Sequence, residues 1–146
     1  MDQVTSQDID QFNEFLRGEL AAVETYDQCI GAFEDNAGMR ESLSLLRNSH
    51  AARVNKLTAR IVAMGGEPDS SSGAWGTFAK MAEGGAKLFG KSAAISVLEE
   101  GEDHGKKLYK DSLEDLSLAN RGFVRTQIIP EQQRSHNVLS RLQELV

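Results

Sequence analysis

The sequence predicts an all-α protein, a four-helix bundle made of two helical hairpins joined by a long crossover that contains a short helix. Two prolines in 146 residues and abundant Ala, Leu, Glu and Lys favour helix throughout. Apolar residues recur at steps of three and four, as on the buried face of a bundle helix. The stretch Gly18–Tyr26, GELAAVETY, also has a counterpart 83 residues later, Gly101–Tyr109, GEDHGKKLY. The two halves of the chain are therefore expected to be related hairpins.

The turn-forming residues divide one domain, residues 1–146, into three parts. Gly65-Gly66 followed by Pro68 ends the second helix, and the Ser-rich loop after it begins the crossover. The first hairpin is expected at about residues 6–64, the crossover at about 65–91 and the second hairpin at about 92–146. Within the crossover, the spacing of Trp75, Phe78, Met81 and Leu88 predicts a short amphipathic helix.

Composition excludes several classes of partner. The net charge of −6 and the lack of basic blocks argue against nucleic acid and anionic membranes. No apolar run approaches the ~18 residues of a membrane span. A single cysteine, Cys29, excludes an internal disulfide and is typical of a reducing compartment. The polar, acidic first residues do not form a signal peptide, so a cytoplasmic location is expected.

The first helix carries a carboxylate on its apolar stripe. A capping box at Thr5 and Asp8 predicts its start. The stripe then follows steps of three and four through Ile9, Phe12, Leu16, Glu19, Val23, Tyr26, Ile30 and Phe33. Burying Glu19 is costly unless it is paired, protonated or bound to a metal ion.

The other three helices also place one polar residue each on the predicted stripe. Asn36 is expected to cap the second helix, which carries His50. The third helix carries Glu102, and the fourth carries His136 after a kink or a first turn at Pro130. Residues 19 and 50 are equidistant from the turn at 34–35, and residues 102 and 136 from the turn at 118–120. Each pair is therefore expected to lie level across its hairpin.

Two Glu and two His at one height in a bundle core are a suitable ligand set for Zn, Fe or Mn. The predicted metal ligands are Glu19, His50, Glu102 and His136, and Glu99, one turn before Glu102, is a possible extra ligand. Tyr26 and Tyr109 follow the two Glu residues by two turns and are expected to donate hydrogen bonds around the site. No pattern typical of a nucleophile, a phosphate loop or a substrate pocket accompanies these residues.

The repeated GE-x6-Y and SH motifs, GGEP after the second helix and LEEGED after a Trp-containing crossover resemble the small bacterial ferritin-like four-helix proteins. The resemblance covers roughly residues 8–146, and the function of that group is largely unassigned. It implies a ferritin-like bundle with a di-metal carboxylate site that stores or oxidises iron, or activates oxygen. In that pattern two helices supply Glu, and two supply Glu-x-x-His.

The sequence departs from this pattern at two positions. Arg47 and Gln133 stand where Glu is expected three residues before each His. One metal ion in a Glu2His2 site is therefore one hypothesis, with Arg47 and Gln133 around it. The alternative is a non-catalytic, stress-related or structural bundle in which a metal-free polar network, including Arg47, replaces the site. Such a bundle would self-associate or dock a partner, and Phe15, Leu20 and Leu45 are candidates for a face between copies.

Overall fold

The computed structural model describes residues 2–73 and 76–146, and for residues 76–89 it describes the backbone alone. The described chain is all-α, and its helices pack as a four-helix bundle, which confirms the predicted fold class. The helices are α1 (Gln3–Ile30), α2 (Ala37–Ala63), α3 (Gly76–Ser112), α4 (Leu118–Phe123) and α5 (Ile129–Gln143). Short 3-10 turns, Gly31–Phe33 and Leu113–Asp115, follow α1 and α3.

The bundle has antiparallel neighbours. α1 packs against both α2 and α3, and α5 packs mainly against α3. Contacts between Asp8 and Ser117 at one end, and between Tyr26 and Glu102 further along, show that α3 runs antiparallel to α1. The crossover first follows α1, where Arg17 pairs with Asp69 at 2.5 Å. The chain reaches the opposite end of the bundle at Lys91, which pairs with Asp35 at 2.7 Å, so the return includes the part of α3 before Gly90.

Side-chain caps and a glycine pair set the helix ends of the first hairpin. Asn36 caps α2 by accepting from the Met39 amide, as predicted. The predicted capping box at Thr5 and Asp8 is wrong, because Asp2 caps α1 and Asp8 instead binds Asn120 across the bundle. α2 ends at Ala63, and Gly65 just after it has a φ of 85°, a conformation that glycine adopts easily; Gly66 N donates to Ile61 O.

The crossover continues into α3 with a break at Gly90. The φ of 82° and ψ of −154° at Gly90 lie outside the helical region and in one that only glycine adopts easily. Backbone before this break, from Gly76, is helical, in agreement with the short crossover helix. Its predicted amphipathic face lies outside the described residues, since Trp75 and the side chains of Phe78, Met81 and Leu88 are among those left out.

The fourth helix of the bundle is interrupted by a π-helical turn at Val124–Ile128, between α4 and α5. Pro130 lies in the first turn of α5 and has no amide hydrogen for the preceding helical turn. A π-helical turn contains more residues than an α-helical turn. The residues after it are therefore rotated about the helix axis relative to a continuous 3.6-residue period. From this turn to the end of α5, the buried residues are Val124, Ile128, Gln132, Ser135 and Leu139.

Two apolar clusters fill the bundle and leave a polar layer between them. The first contains Tyr26, Cys29, Leu46 and Leu98, and the second contains Phe15, Leu57, Tyr109 and Ile128. Phe15 is fully buried, so it does not belong to the exposed face between copies that the sequence suggested. Across the described helices, none has an apolar stretch of the length and hydropathy needed to cross a membrane.

Candidate functional site

Four charged or ionisable side chains meet in the polar layer, each buried to at least 96%. Arg53 Nε donates to Glu19 Oε2 at 2.6 Å. The ring of His50 lies between the two carboxylates, with Nδ1 3.1 Å from Glu19 Oε2 and Nε2 2.5 Å from Glu102 Oε1. We refer to Glu19, His50, Arg53 and Glu102 as the ion network. It joins α1, α2 and α3.

α5 completes the surroundings with neutral groups. Arg53 Nη1 donates to Ser49 Oγ at 3.1 Å and to Ser135 Oγ at 3.3 Å. Gln132 Nε2 donates to the backbone carbonyl of Glu102 at 3.1 Å. Guanidinium N–H groups taken out of water need acceptors of this kind, and the two serines supply them. The fourth helix of the bundle therefore contributes hydrogen bonds to the network and no charge.

Arg53 and His50 together change the pKa of Glu19 more than its burial does. Burial alone raises the pKa of the Glu19 carboxyl, but Arg53 and His50 lower it further than that, to about 2. Burial correspondingly lowers the pKa of Arg53, and the Glu19 carboxylate raises it above its usual value. Glu19 and Arg53 are thus both charged at neutral pH.

His50 has two competing neighbours at Nδ1. Burial lowers the pKa of His50, but the Glu19 and Glu102 carboxylates outweigh both burial and the Arg53 charge and raise it. Arg53 Nη2, 2.6 Å from Nδ1, favours a neutral ring that accepts there, whereas Glu19 favours a protonated ring that donates there. Two carboxylates act against one guanidinium, and the protonated form is therefore favoured.

Both tyrosines lie beside the ion network. The Tyr26 hydroxyl donates to Glu102 Oε1 at 3.3 Å, and its ring is 5.2 Å from that of His50. Burial first, and then the charge of Glu102, raises the pKa of Tyr26 well above its usual value. For Tyr109 the pKa is also raised well above its usual value, first by burial and then by Glu19. The two phenols consequently remain protonated donors.

His136 does not join the other predicted ligands. Its side chain is partly exposed and its Nε2 lies 2.7 Å from Asp103 Oδ1, at the surface between α3 and α5. Within α5 the buried stripe passes from Gln132 through Ser135 to Leu139, and His136 lies beside it. Glu99 likewise lies apart from the network and accepts a hydrogen bond from Ser140 at 3.0 Å.

The residues at the two missing Glu positions also lie outside the core. Arg47 pairs with the exposed Asp27 at 3.0 Å, so the predicted pairing of Arg47 with a buried Glu is wrong. Gln133 is exposed, and its neighbour Gln132 is the glutamine that contacts Glu102. The predictions for Arg47, Gln133 and His136 are wrong in the same way. In each case the side chain lies on a neighbouring face of its helix, outside the core.

The sequence reasoning missed Arg53, the most deeply buried cation. The stripe of α2 contains Leu43, Leu46, His50, Leu57 and Ile61, and either Arg53 or Val54 continues it after His50. An apolar criterion favours Val54. The signal that favours Arg53 is chemical, since a buried Glu19 needs a cation within reach and Arg53 follows His50 by one turn on the same face.

The donor set is a poor match for a metal ion. Two carboxylates and one imidazole are suitable ligand types, but Arg53 pairs with Glu19 and His50 contacts both carboxylates, so the two negative charges are already neutralised. The guanidinium cannot lose its proton to make room for a cation. Among the described residues, no group of three or more His, Cys, Asp or Glu is arranged to hold a metal ion.

A family model described as "Domain of unknown function (DUF2383)" matches residues 7–115, well over half of the chain. The chain belongs to this family. The DUF2383 match includes all four members of the ion network, and it ends before Gln132 and Ser135 of α5. A comparison with curated proteins and one with solved structures each gave no match.

Proposed function

We propose that this DUF2383 protein is a non-catalytic bundle whose helices are aligned by a metal-free ion network, and that it acts by self-association or by docking a partner. The observation that carries the proposal is the contact between Arg53 Nε and Glu19 Oε2 in the middle of the core. The Arg53 guanidinium carries a permanent positive charge, and it lies where a metal-binding bundle needs free ligand atoms.

The network supports this role because it fixes one alignment of the helices. A shift of α1 against α2 would break the arrangement in which Glu19 contacts both Arg53 and His50, and would leave a buried charge with fewer partners. Buried ion pairs often add little net stability compared with apolar packing, but breaking one is expensive. Selection of one register is the contribution that this arrangement supports best.

The interaction part of the proposal is supported by Leu45. Its side chain is 65% exposed and borders an open groove between α2 and α5, with Leu46 and Val138 also in the lining of the groove. If copies of this chain associate through the groove, Leu45→Gln should abolish the dimer in sedimentation velocity. Val62→Gln is the control, because Val62 is similarly exposed at another position on α2.

A second candidate function is a ferritin-like metal site with redox or oxygen chemistry. It is supported by the meeting of Glu19, His50 and Glu102, from three helices, and by the ferritin-like sequence pattern. Iron, zinc or manganese at this site would require Arg53 to leave Glu19. The two candidates therefore differ in one measurable quantity, the metal content.

Elemental analysis of natively purified protein separates the candidates, followed by calorimetric titration with Fe²⁺, Zn²⁺ and Mn²⁺. We expect no stoichiometric metal in the wild type. About one ion per chain, lost in a Glu19→Ala/Glu102→Ala double variant, would overturn the proposal and support the metal site. Arg53→Met tests whether the Arg53 guanidinium is what prevents metal binding. Its removal should allow Zn²⁺ to bind, whereas the Arg47→Met variant should not bind Zn²⁺.

A further inference from the structure

A groove between α3 and α5 has a volume of about 300 Å³ and carries two lysines, and we refer to it as the lysine groove. Tyr109, Leu113 and Ile129 supply its apolar lining, and each of them is buried or partly buried. Lys106 and Lys110 line it one helical turn apart on α3. Small-molecule sites are typically concave and largely apolar, carry a few polar groups, and often lie between the helices of a bundle. The lysine groove has these properties.

The two lysines of this groove have no ion-pair partner among the residues that the structure describes. Lys91, by comparison, pairs with Asp35 at 2.7 Å. The chain has 22 acidic residues and 16 basic ones, so most of its charged surface repels anions. Two unpaired ammonium groups beside one concave space are therefore a positive region in an acidic protein.

The acidic residue in the lining of the lysine groove does not cancel this charge. Glu114 lies 3.4 Å from Arg121 and 3.3 Å from Arg125, so two guanidinium groups already neutralise its carboxylate. The charges of Lys106 and Lys110 consequently remain uncompensated within the lining. The electrostatic potential inside the groove favours an anion, although the whole chain has a net charge of −6.

We infer that the lysine groove binds a small organic anion, a carboxylate or phosphate carried on a short aliphatic chain. The anionic group lies between the ammonium groups of Lys106 and Lys110, and the chain packs on Leu113 and Ile129. Lysine donates charge-assisted hydrogen bonds to either kind of anion. The exposed side chain of Gln133, also in the lining, supplies a neutral donor at the rim. The inference goes beyond the proposed function and does not depend on it.

Hexanoate is the first probe, and the δ1 methyl group of Ile129, in the lining, is the reporter. We expect saturable shifts of this signal in the millimolar range when sodium hexanoate is titrated into isoleucine-methyl-labelled protein. The signal of Ile61, which is fully buried on α2, should stay unchanged. 1-Hexanol, which has the same chain without the charge, should bind at least about fivefold more weakly. Sodium chloride at equal ionic strength should produce no saturable shift.

Three lysine variants separate the groove from the general charge of α3. Lys106→Met and Lys110→Met should each weaken hexanoate binding about threefold, and the double variant about tenfold, because each removes one partly exposed ion pair. Lys107→Met is the matched control. Lys107 is also exposed and has no ion-pair partner among the described residues, but it does not line the groove. Its variant changes the net charge equally and should bind hexanoate like the wild type.

Hexyl phosphate identifies the anionic group that the lysine groove prefers. Tighter binding than that of hexanoate identifies a phosphate, and equal or weaker binding identifies a carboxylate. Both results support the inference. Shifts that grow linearly without saturation, 1-hexanol binding as tightly as hexanoate, or a loss in Lys107→Met as large as that in the Lys106→Met/Lys110→Met double variant would overturn it. Unchanged binding in the double variant would also overturn it.

Discussion

Arg53 and Glu19 form an ion pair at 2.6 Å in the centre of the bundle, where Arg53 has no solvent exposure. The pair links α1 to α2, and its charges act on the neighbouring His50 and Tyr109. Because both side chains are buried, the charge of each needs the other as its partner. The first three predictions follow from this dependence.

Arg53→Met should lower the free energy of unfolding by about 3–5 kcal/mol, because it leaves Glu19 with a weaker set of donors in the core. The measurement is urea denaturation at pH 7. Arg47→Met is the matched control, since Arg47 forms an exposed pair with Asp27, and it should cost less than about 1 kcal/mol. Equal losses for the two variants would mean that the buried pair has no special role.

Glu19→Gln should flatten the acid limb of the stability profile. The pKa of Glu19 is lowered to about 2 in the folded protein, so its contribution is present above the unfolded pKa of about 4.5 and is lost as pH falls toward 2. The shift corresponds to about 3 kcal/mol. Unfolding free energies measured between pH 6 and pH 2 test this, with Asp27→Asn as the exposed control. A wild-type acid limb retained in Glu19→Gln would contradict it.

His50→Gln should flatten the opposite limb. The pKa of His50 is raised above its usual value of about 6.5, so its contribution is present below that pH and is lost as pH rises through the folded pKa. Wild-type stability should consequently fall from about pH 6.5 upward more steeply than that of the variant. Direct titration of the ring by NMR measures the raised pKa. His136→Gln, at the surface, should keep the wild-type slope.

Cys29 should be inert to thiol reagents in the folded protein. Its side chain is fully buried, and burial raises the pKa of the thiol to about 12, so almost no thiolate exists at pH 8. Reaction with an aromatic disulfide reagent should occur only at the rate at which the bundle opens. Fast labelling of native protein, at a rate close to that in denaturant, would show that this part of the core is accessible.

Local sequence rules predicted most of the fold. The steps of three and four located the helices, and Asn36 and Gly65-Gly66 marked the ends of α2 because caps and left-handed glycines act within a few residues. The same periodicity predicted that Glu19, His50 and Glu102 are buried. One helix end was predicted wrongly, at Asp8, because its carboxylate has a partner in another part of the chain, Asn120.

The sequence by itself determined the four helices, their hairpin order and three of the polar positions in the core. Only the tertiary structure decided which neighbours complete the network, with Arg53 in place of Arg47 and Ser135 in place of His136. The physical reason is rotational phase. Ser135 and His136 are adjacent, and steps of three and four from Gln132 reach either of them, while the choice between Arg53 and Val54 depends on a charge supplied by another helix.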